Sequence, residues 1–149
     1  RAFDLVDVIE RAVQWVCKAA DDQFEVKLGL PPSIEVIGSP GQIQQVVMNL
    51  VQNAADATEN ARERRLDISG GVEDAEALIE FRDSGPGIPF ANIDKLFDPF
   101  FTTKPVGRGT GLGLAISYGI VERHGGTLKA SNHPQGGALF SLRLPLAPR

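Results

Sequence analysis

Two asparagines and an aspartate in NLVQNAAD, Asn49, Asn53 and Asp56, fall four and then three residues apart. On a helix that spacing stacks all three along one stripe. The stripe lies beside the apolar positions of the same segment rather than opposite them, so the amides sit at the rim of a core. Alone, such a stripe is the polar flank of an amphipathic helix. An amide oxygen facing a cleft is also a suitable neutral ligand for Mg²⁺, which takes oxygen donors and keeps several waters.

Three further stretches carry chemistry-bearing patterns. DSGPGI, Asp83 to Ile88, places two glycines around a proline, a tight turn at which a flat ligand can approach the backbone, with Asp83 as an acceptor at its edge. By itself it is a turn. LFDPFFTTK, Leu96 to Lys104, puts three phenylalanines into a loop, either to pin the loop to the core or to form an apolar contact surface; Phe97 and Phe100 suit pinning. GRGTGLGLAIS, Gly107 to Ser117, has glycine at every second position just ahead of Leu112, Ala115, Ile116, Gly119 and Ile120, a set with helical spacing. Unpaired N–H groups at a helix start bind anions, and glycines let phosphate oxygens come close to them. The spacing fits neither GxxxxGK[ST] nor GxGxxG, so this is a phosphate cradle of another kind.

The elements that must position these stretches are readable from periodicity. Asp4 caps a helix with Leu5, Val8, Ile9, Ala12, Val13 and Val16 on one face. FEVKLGL (Phe24–Leu30) alternates as a half-buried strand ended by Pro31 and Pro32, and IEVIG (Ile34–Gly38) is a shorter one. SPGQ, Ser39 to Gln42, combines a capping Ser, Pro at the first helical position and Gln three residues after the cap. The spacing predicts a helix from there to about Ala61, with Ile43, Val46, Val47, Leu50, Val51, Ala54 and Ala57 inward. RLDISGGV and ALIEFRDSG form a hairpin around Glu73–Glu76. Residues 85–108 lack sustained periodicity and form a long loop, which in a compact domain is usually functional. A helix beginning near Gly111 and two last strands, GGTLKASNH and GALFSLRLP, complete the chain. Strands arrive in pairs, which argues against a doubly wound parallel sheet. The expected fold is α/β, a two-layer α+β sandwich: a mixed, mostly antiparallel sheet with three helices over one face.

Bulk properties bound the function. A chain of 149 residues is one domain of ordinary size. The net charge is −4, with no basic stripe, which excludes a nucleic-acid backbone as the principal partner. Cys17 is the single cysteine, so no intrachain disulfide forms; it lies in an apolar helical pattern and reads as a packing residue. No apolar run reaches the length of a membrane span, so no direct membrane contact is expected. The start at Arg1 reads as an excised piece of a longer protein.

Taken together and in this order, the four stretches resemble the catalytic and ATP-binding domain of sensor histidine kinases, in the superfamily that includes gyrase, the Hsp90 chaperones and the MutL repair proteins. NLVQNAADA is similar to that family's N box, DSGPG to its G1 box, FDPFFTTK to its F box and GRGTGLGLAIS to its G2 box. The flanking LPPSIEVIGSPGQIQQVVMNL, IVERHGGTL and GGALFSLRLP are also typical. The resemblance spans nearly all of the chain and implies the Bergerat fold, with residues 1–149 as one domain that lacks the dimerisation and phosphoacceptor part.

The resemblance also implies roles. Asn53 is the main Mg²⁺ ligand and Asn49 a second phosphate or metal-shell contact; with Lys104 they form the set assigned to catalysis. Asp83 accepts the adenine amino hydrogen bond, and Gly85, Gly87 and Ile88 shape the base pocket. Gly109, Thr110, Gly111, Leu112 and Gly113 wrap the phosphates, while Asp56, Thr102 and Leu114 complete the nucleotide-binding set. Residues 90–108 form an ATP lid, in which Lys104 and Arg108 are either cationic contacts to the terminal phosphate or solvated lid charges. Ala138 stands where relatives often have a small hydroxyl residue near the adenine.

Asn49 bears on the reaction type. ATPases of the superfamily, and its serine-directed kinases, carry Glu at this position as a general base, needed because water or a hydroxyl must lose a proton to attack. A neutral imidazole already offers a lone pair, so Asn49 points to histidine as acceptor. His124 in VERHGG matches a structural histidine of the family and His133 lies in a turn, so neither is the acceptor. The implied partners are a histidine-bearing dimerisation domain of the same parent and a response regulator receiver domain. The fragment is expected to be monomeric and its parent homodimeric, in the cytoplasm or held at the inner membrane by other segments. The alternatives are a superfamily ATPase, which would turn ATP over alone, and a non-catalytic nucleotide-binding module.

Overall fold

The computed structural model describes residues 1–19, 23–99, 101 and 113–148. These form β1 (Ala2–Asp4), α1 (Leu5–Ala19), β2 (Glu25–Gly29), β3 (Glu35–Ile37), α2 (Pro40–Ala57), β4 (Arg65–Glu73) and β5 (Glu76–Asp83), followed by a 3-10 helix (Phe90–Lys95), α3 (Gly113–Arg123), β6 (Thr127–Asn132) and β7 (Ala138–Pro145). The main sheet has the order β2-β4-β5-β7-β6. Only β2 and β4 pair in parallel within it; the other three pairs are antiparallel. The helices cover one face, as the pairing of strands in the sequence predicts.

Caps fix where the helices begin. Asp4 Oδ1 accepts from Val6 N and from Ile34 N, both at 3.0 Å, so one carboxylate starts α1 and ties it to the segment before β3. Ser39 Oγ accepts from Gln42 N at 3.3 Å, with Pro40 at the first position of α2. Burying the apolar face of α2 stabilises the helix layer: Ile43, Val46, Val47, Leu50 and Val51 are all buried, at roughly 1.5–3 kcal/mol each. They meet Ile68, Ile79, Phe81 and Leu142 from the sheet in one cluster, flanked by α1 and α3.

Five details depart from the sequence expectation. α2 ends at Ala57 rather than near Ala61, because Thr58 turns out of helical geometry and its buried hydroxyl bonds Ala54 O at 2.8 Å. Ala55, not Ala57, faces the core; Ala57 is exposed to the cleft described below. The long loop contains the 3-10 helix over Phe90–Lys95. In α3, Ser117 is buried and Ile116 is 44% exposed, so the helix is rotated from the face its apolar residues suggest. Three-residue β1, too short to show a period in the sequence, pairs with β3 in a small second sheet. Among the described residues no helix is long and apolar enough to cross a membrane.

Candidate functional site

Asp83 ends β5 with its side chain on the helix-covered face, and only 4% of it is exposed. Its Oδ1 accepts from Gly85 N at 2.9 Å and from Ala138 N at 3.2 Å. Burial pushes this carboxyl above the ordinary range, and the two backbone donors pull it partly back. Both bonds go to one oxygen; Oδ2 accepts none among the described residues. Ala138 serves through its backbone here, so the missing side-chain hydroxyl does not remove its contact with Asp83.

The turn after Asp83 is held from three sides. Ser84 Oγ donates to Glu63 O at 2.7 Å and accepts from Arg65 N at 2.8 Å, which fastens the turn to the start of β4. Ile88 is bonded at both its N and its O by the Asn132 carboxamide, at 2.7 and 2.8 Å. Gly137, with φ of +85°, lies against the carbonyl of Asp83 so closely that a side chain there would overlap it. The close approach lets the tip of the β6–β7 hairpin form the back of the site.

Beside this turn lies a cleft of about 120 Å³. Asp83, Gly87, Ile88 and Pro89 form one wall, Asn53 and Ala57 of α2 another, and Asn92, Leu96 and Leu114 close over Ala138 and Phe140. Phe97 stacks on Tyr118, with ring centroids 5.1 Å apart, and meets Phe140 edge-on at 6.4 Å. It pins its loop to the core, as the motif suggests. The cleft is smaller than the roughly 300–1,000 Å³ that houses a drug-sized ligand whole.

On α2, Asn49, Asn53 and Asp56 are all half-buried along one stripe. Asn53 faces the cleft, and its amide makes no hydrogen bond among the described residues. Asn49 is differently placed: its Nδ2 donates to Gly113 O at 3.2 Å and to Ser117 Oγ at 3.0 Å, tying α2 to the first turn of α3. Asp56 accepts from Gln52 Nε2 at 3.1 Å. Thr102, Lys104, Arg108, Gly109, Thr110, Gly111 and Leu112, together with Phe100, lie outside the described residues.

The donors present fit a magnesium nucleotide. No group of three His, Cys, Asp or Glu side chains gathers among the described residues to hold a metal by itself. Mg²⁺ with a triphosphate requires none, since one or two protein oxygens plus phosphate and water complete its shell. Asn53, half-buried at the cleft with no hydrogen bond to its amide among the described residues, carries an oxygen of that kind.

The model of the histidine kinase-, DNA gyrase B- and HSP90-like ATPase family matches residues 38–148. The chain belongs to that family. Relatives inside this ATPase family are sensors: the two-component sensor PprA of Pseudomonas aeruginosa is 40% identical over 130 residues, which cover 83% of this chain and 14% of PprA. The sensor protein FixL of Bradyrhizobium diazoefficiens is 37% identical over 150 residues, 99% of this chain and 29% of FixL. This chain therefore spans less than a third of either sensor. The solved catalytic domain of histidine kinase ThkA matches with a TM-score of 0.85 at 30% identity, covering 98% of this chain and 95% of that one. The mycobacterial sensor histidine kinase MprB matches with a TM-score of 0.87 at 26% identity, both chains being covered in full. Within the histidine kinase- and HSP90-like family, the chain is a nucleotide-binding catalytic domain of the sensor histidine kinase kind.

Reading by motif missed several residues of this family member's site. Ala57, Asn92, Leu96 and Phe140 line the cleft, while Ser117, Asn132 and Gly137 hold its walls. Ala57 was legible as apolar and inward, but its direction is toward the cleft. His124 is structural: Nε2 accepts from Ser39 N at 3.1 Å and Nδ1 lies 2.8 Å from Ile120 O, a pairing that requires the proton on Nδ1. His133 Nδ1 accepts from Gln135 N at 3.0 Å within its turn.

Proposed function

We propose that the chain binds ATP with Mg²⁺ in this cleft and donates the γ-phosphoryl group to a histidine on a separate dimerisation domain, for onward relay to a response regulator receiver domain. The observation that carries the reading is the meeting, in one cleft, of a buried carboxylate with one oxygen that accepts no bond and an amide that makes none, both among the described residues. We read residues 1–149 as a single domain acting in this role.

Asp83 Oδ2 accepts the adenine amino hydrogen, and Ile88, Leu96 and Phe140 bury the faces of the ring. Asn53 Oδ1 is the protein ligand to the metal. When bound, Mg²⁺ neutralises charge on the phosphoryl group in transfer. Asn49 has given its amide hydrogens to α3, which leaves only its Oδ1 for a phosphate-bound water or the metal shell. Its larger contribution is to hold the start of α3, where Gly113 and Leu114 follow the phosphate-wrapping glycines. We assign phosphate contacts to residues 109–113, a cationic contact to Lys104 or Arg108, and accessory places in the nucleotide set to Asp56 and Thr102.

The acceptor imidazole attacks with its own lone pair, so no base is required. The family's hydrolases resemble this chain but place Glu where Asn49 stands; an amide cannot deprotonate water. The isolated chain is thus expected to bind ATP without consuming it. Calorimetric titration with ATP and Mg²⁺, followed by a phosphate-release assay, tests this. Binding heat with negligible turnover supports the reading. Absence of binding removes the nucleotide site, and steady turnover abolished by Asn53→Ala identifies an ATPase instead.

A further inference from the structure

Asn132 is the last residue of β6 and stands opposite Ala138 of β7. Its exposed carboxamide accepts from Ile88 N at 2.7 Å and donates to Ile88 O at 2.8 Å. One side chain thereby supplies both bonds that a neighbouring strand would make with that residue. The fit is close: a Cβ on Gly87, whose φ is +87°, would stand 2.7 Å from Asn132 Oδ1. Ile88 lines the cleft beside Asp83, while Ala138, the register partner of Asn132, donates its N–H to Asp83 Oδ1. Two walls of the base compartment are therefore set against each other through one amide that touches neither the cleft nor the core.

The geometry points to Asn132 as a positioning residue that fixes the apolar wall at Ile88 relative to Asp83, and with it the selectivity of the cleft for a base bearing an exocyclic amino group. This rests on the reading of the cleft as an adenine site. Asn is suited to the place because Ile88 presents one donor and one acceptor. Ala would make neither bond. Asp has the right shape but, when ionised, has no hydrogen to give and sets negative charge against the Ile88 carbonyl.

The test is calorimetric titration of the full chain with ADP and with inosine diphosphate, which carries a keto oxygen in place of the amino group. The wild type is compared with Asn132→Ala and Asn132→Asp, each shown to be folded by circular dichroism. The wild type is expected to prefer ADP. Asn132→Ala should weaken ADP by about tenfold, inosine diphosphate by much less, and Asn132→Asp should do no better. Unchanged ADP affinity, equal weakening of both nucleotides, or wild-type behaviour in Asn132→Asp would overturn the role of Asn132 while leaving the adenine site standing. A wild-type chain that binds ADP no better than inosine diphosphate, or binds neither, would overturn the adenine site and this inference together.

Discussion

At Asp83 two demands oppose each other. On the proposed reading the carboxylate is buried to meet the edge of a base, and burial raises its pKa above the ordinary range. A raised folded-state pKa means that the group's contribution to stability is fully present below the unfolded carboxylate range and is lost as pH rises through the folded value. Asp83→Asn keeps an oxygen for Gly85 N and Ala138 N and removes the buried charge. Thermal melts should therefore show the variant as stable as the wild type or more so near neutral pH, with that advantage fading as the pH falls toward about 4. Its nucleotide affinity should drop by about tenfold or more, because a carboxylate acceptor is replaced by an amide that can turn a donor toward the amino group. Asn53→Ala is a contrasting case. No hydrogen bond among the described residues is broken, so stability should change by under about 0.5 kcal/mol. Titrating ATP with and without Mg²⁺ should show that the metal no longer strengthens binding.

Among the elements, caps and turns make separable contributions. Ser39→Ala removes the bond to Gln42 N and should lower stability by about 1 kcal/mol, read from urea denaturation. The β4–β5 hairpin turns through Asp74 and Ala75, both at positive φ, 53° and 63°, where a side chain is strained. Ala75→Gly should raise stability by about 1 kcal/mol in the same measurement. These elements differ in how far the sequence discloses them. The three helices and the paired strands are legible because period, caps and prolines agree. The Asp74–Ala75 turn carries no glycine signal, so only its place between alternating runs identifies it. Three-residue β1 is too short to show a period. Ile116 and Ser117 exchange their expected places in α3 because the Ser117 hydroxyl meets Asn49, a tertiary preference that overrides apolar spacing.

At the scale of the whole molecule, the site is assembled from α2, the end of β5, the loop through Leu96, the start of α3 and the β6–β7 hairpin. Residues inside a motif, such as Asn53 and Asp83, are visible from type and spacing. Residues that serve only through strand register are not: Asn132 reaches Ile88 because β6 pairs with β7 so as to set it opposite Ala138, and a linear pattern does not encode that meeting. In the same assembly both nitrogens of His124 are engaged, and His133 accepts through Nδ1 from Gln135 N within its own turn. On the proposed reading, the acceptor histidine therefore lies on another chain segment or domain. Mixing this chain with labelled ATP, Mg²⁺ and a histidine-bearing dimerisation domain tests the central claim most directly. An acid-labile label on that domain, dependent on its histidine and lost with Asn53→Ala, is the predicted result. Label released as inorganic phosphate, or retained in ATP despite tight binding, would contradict it.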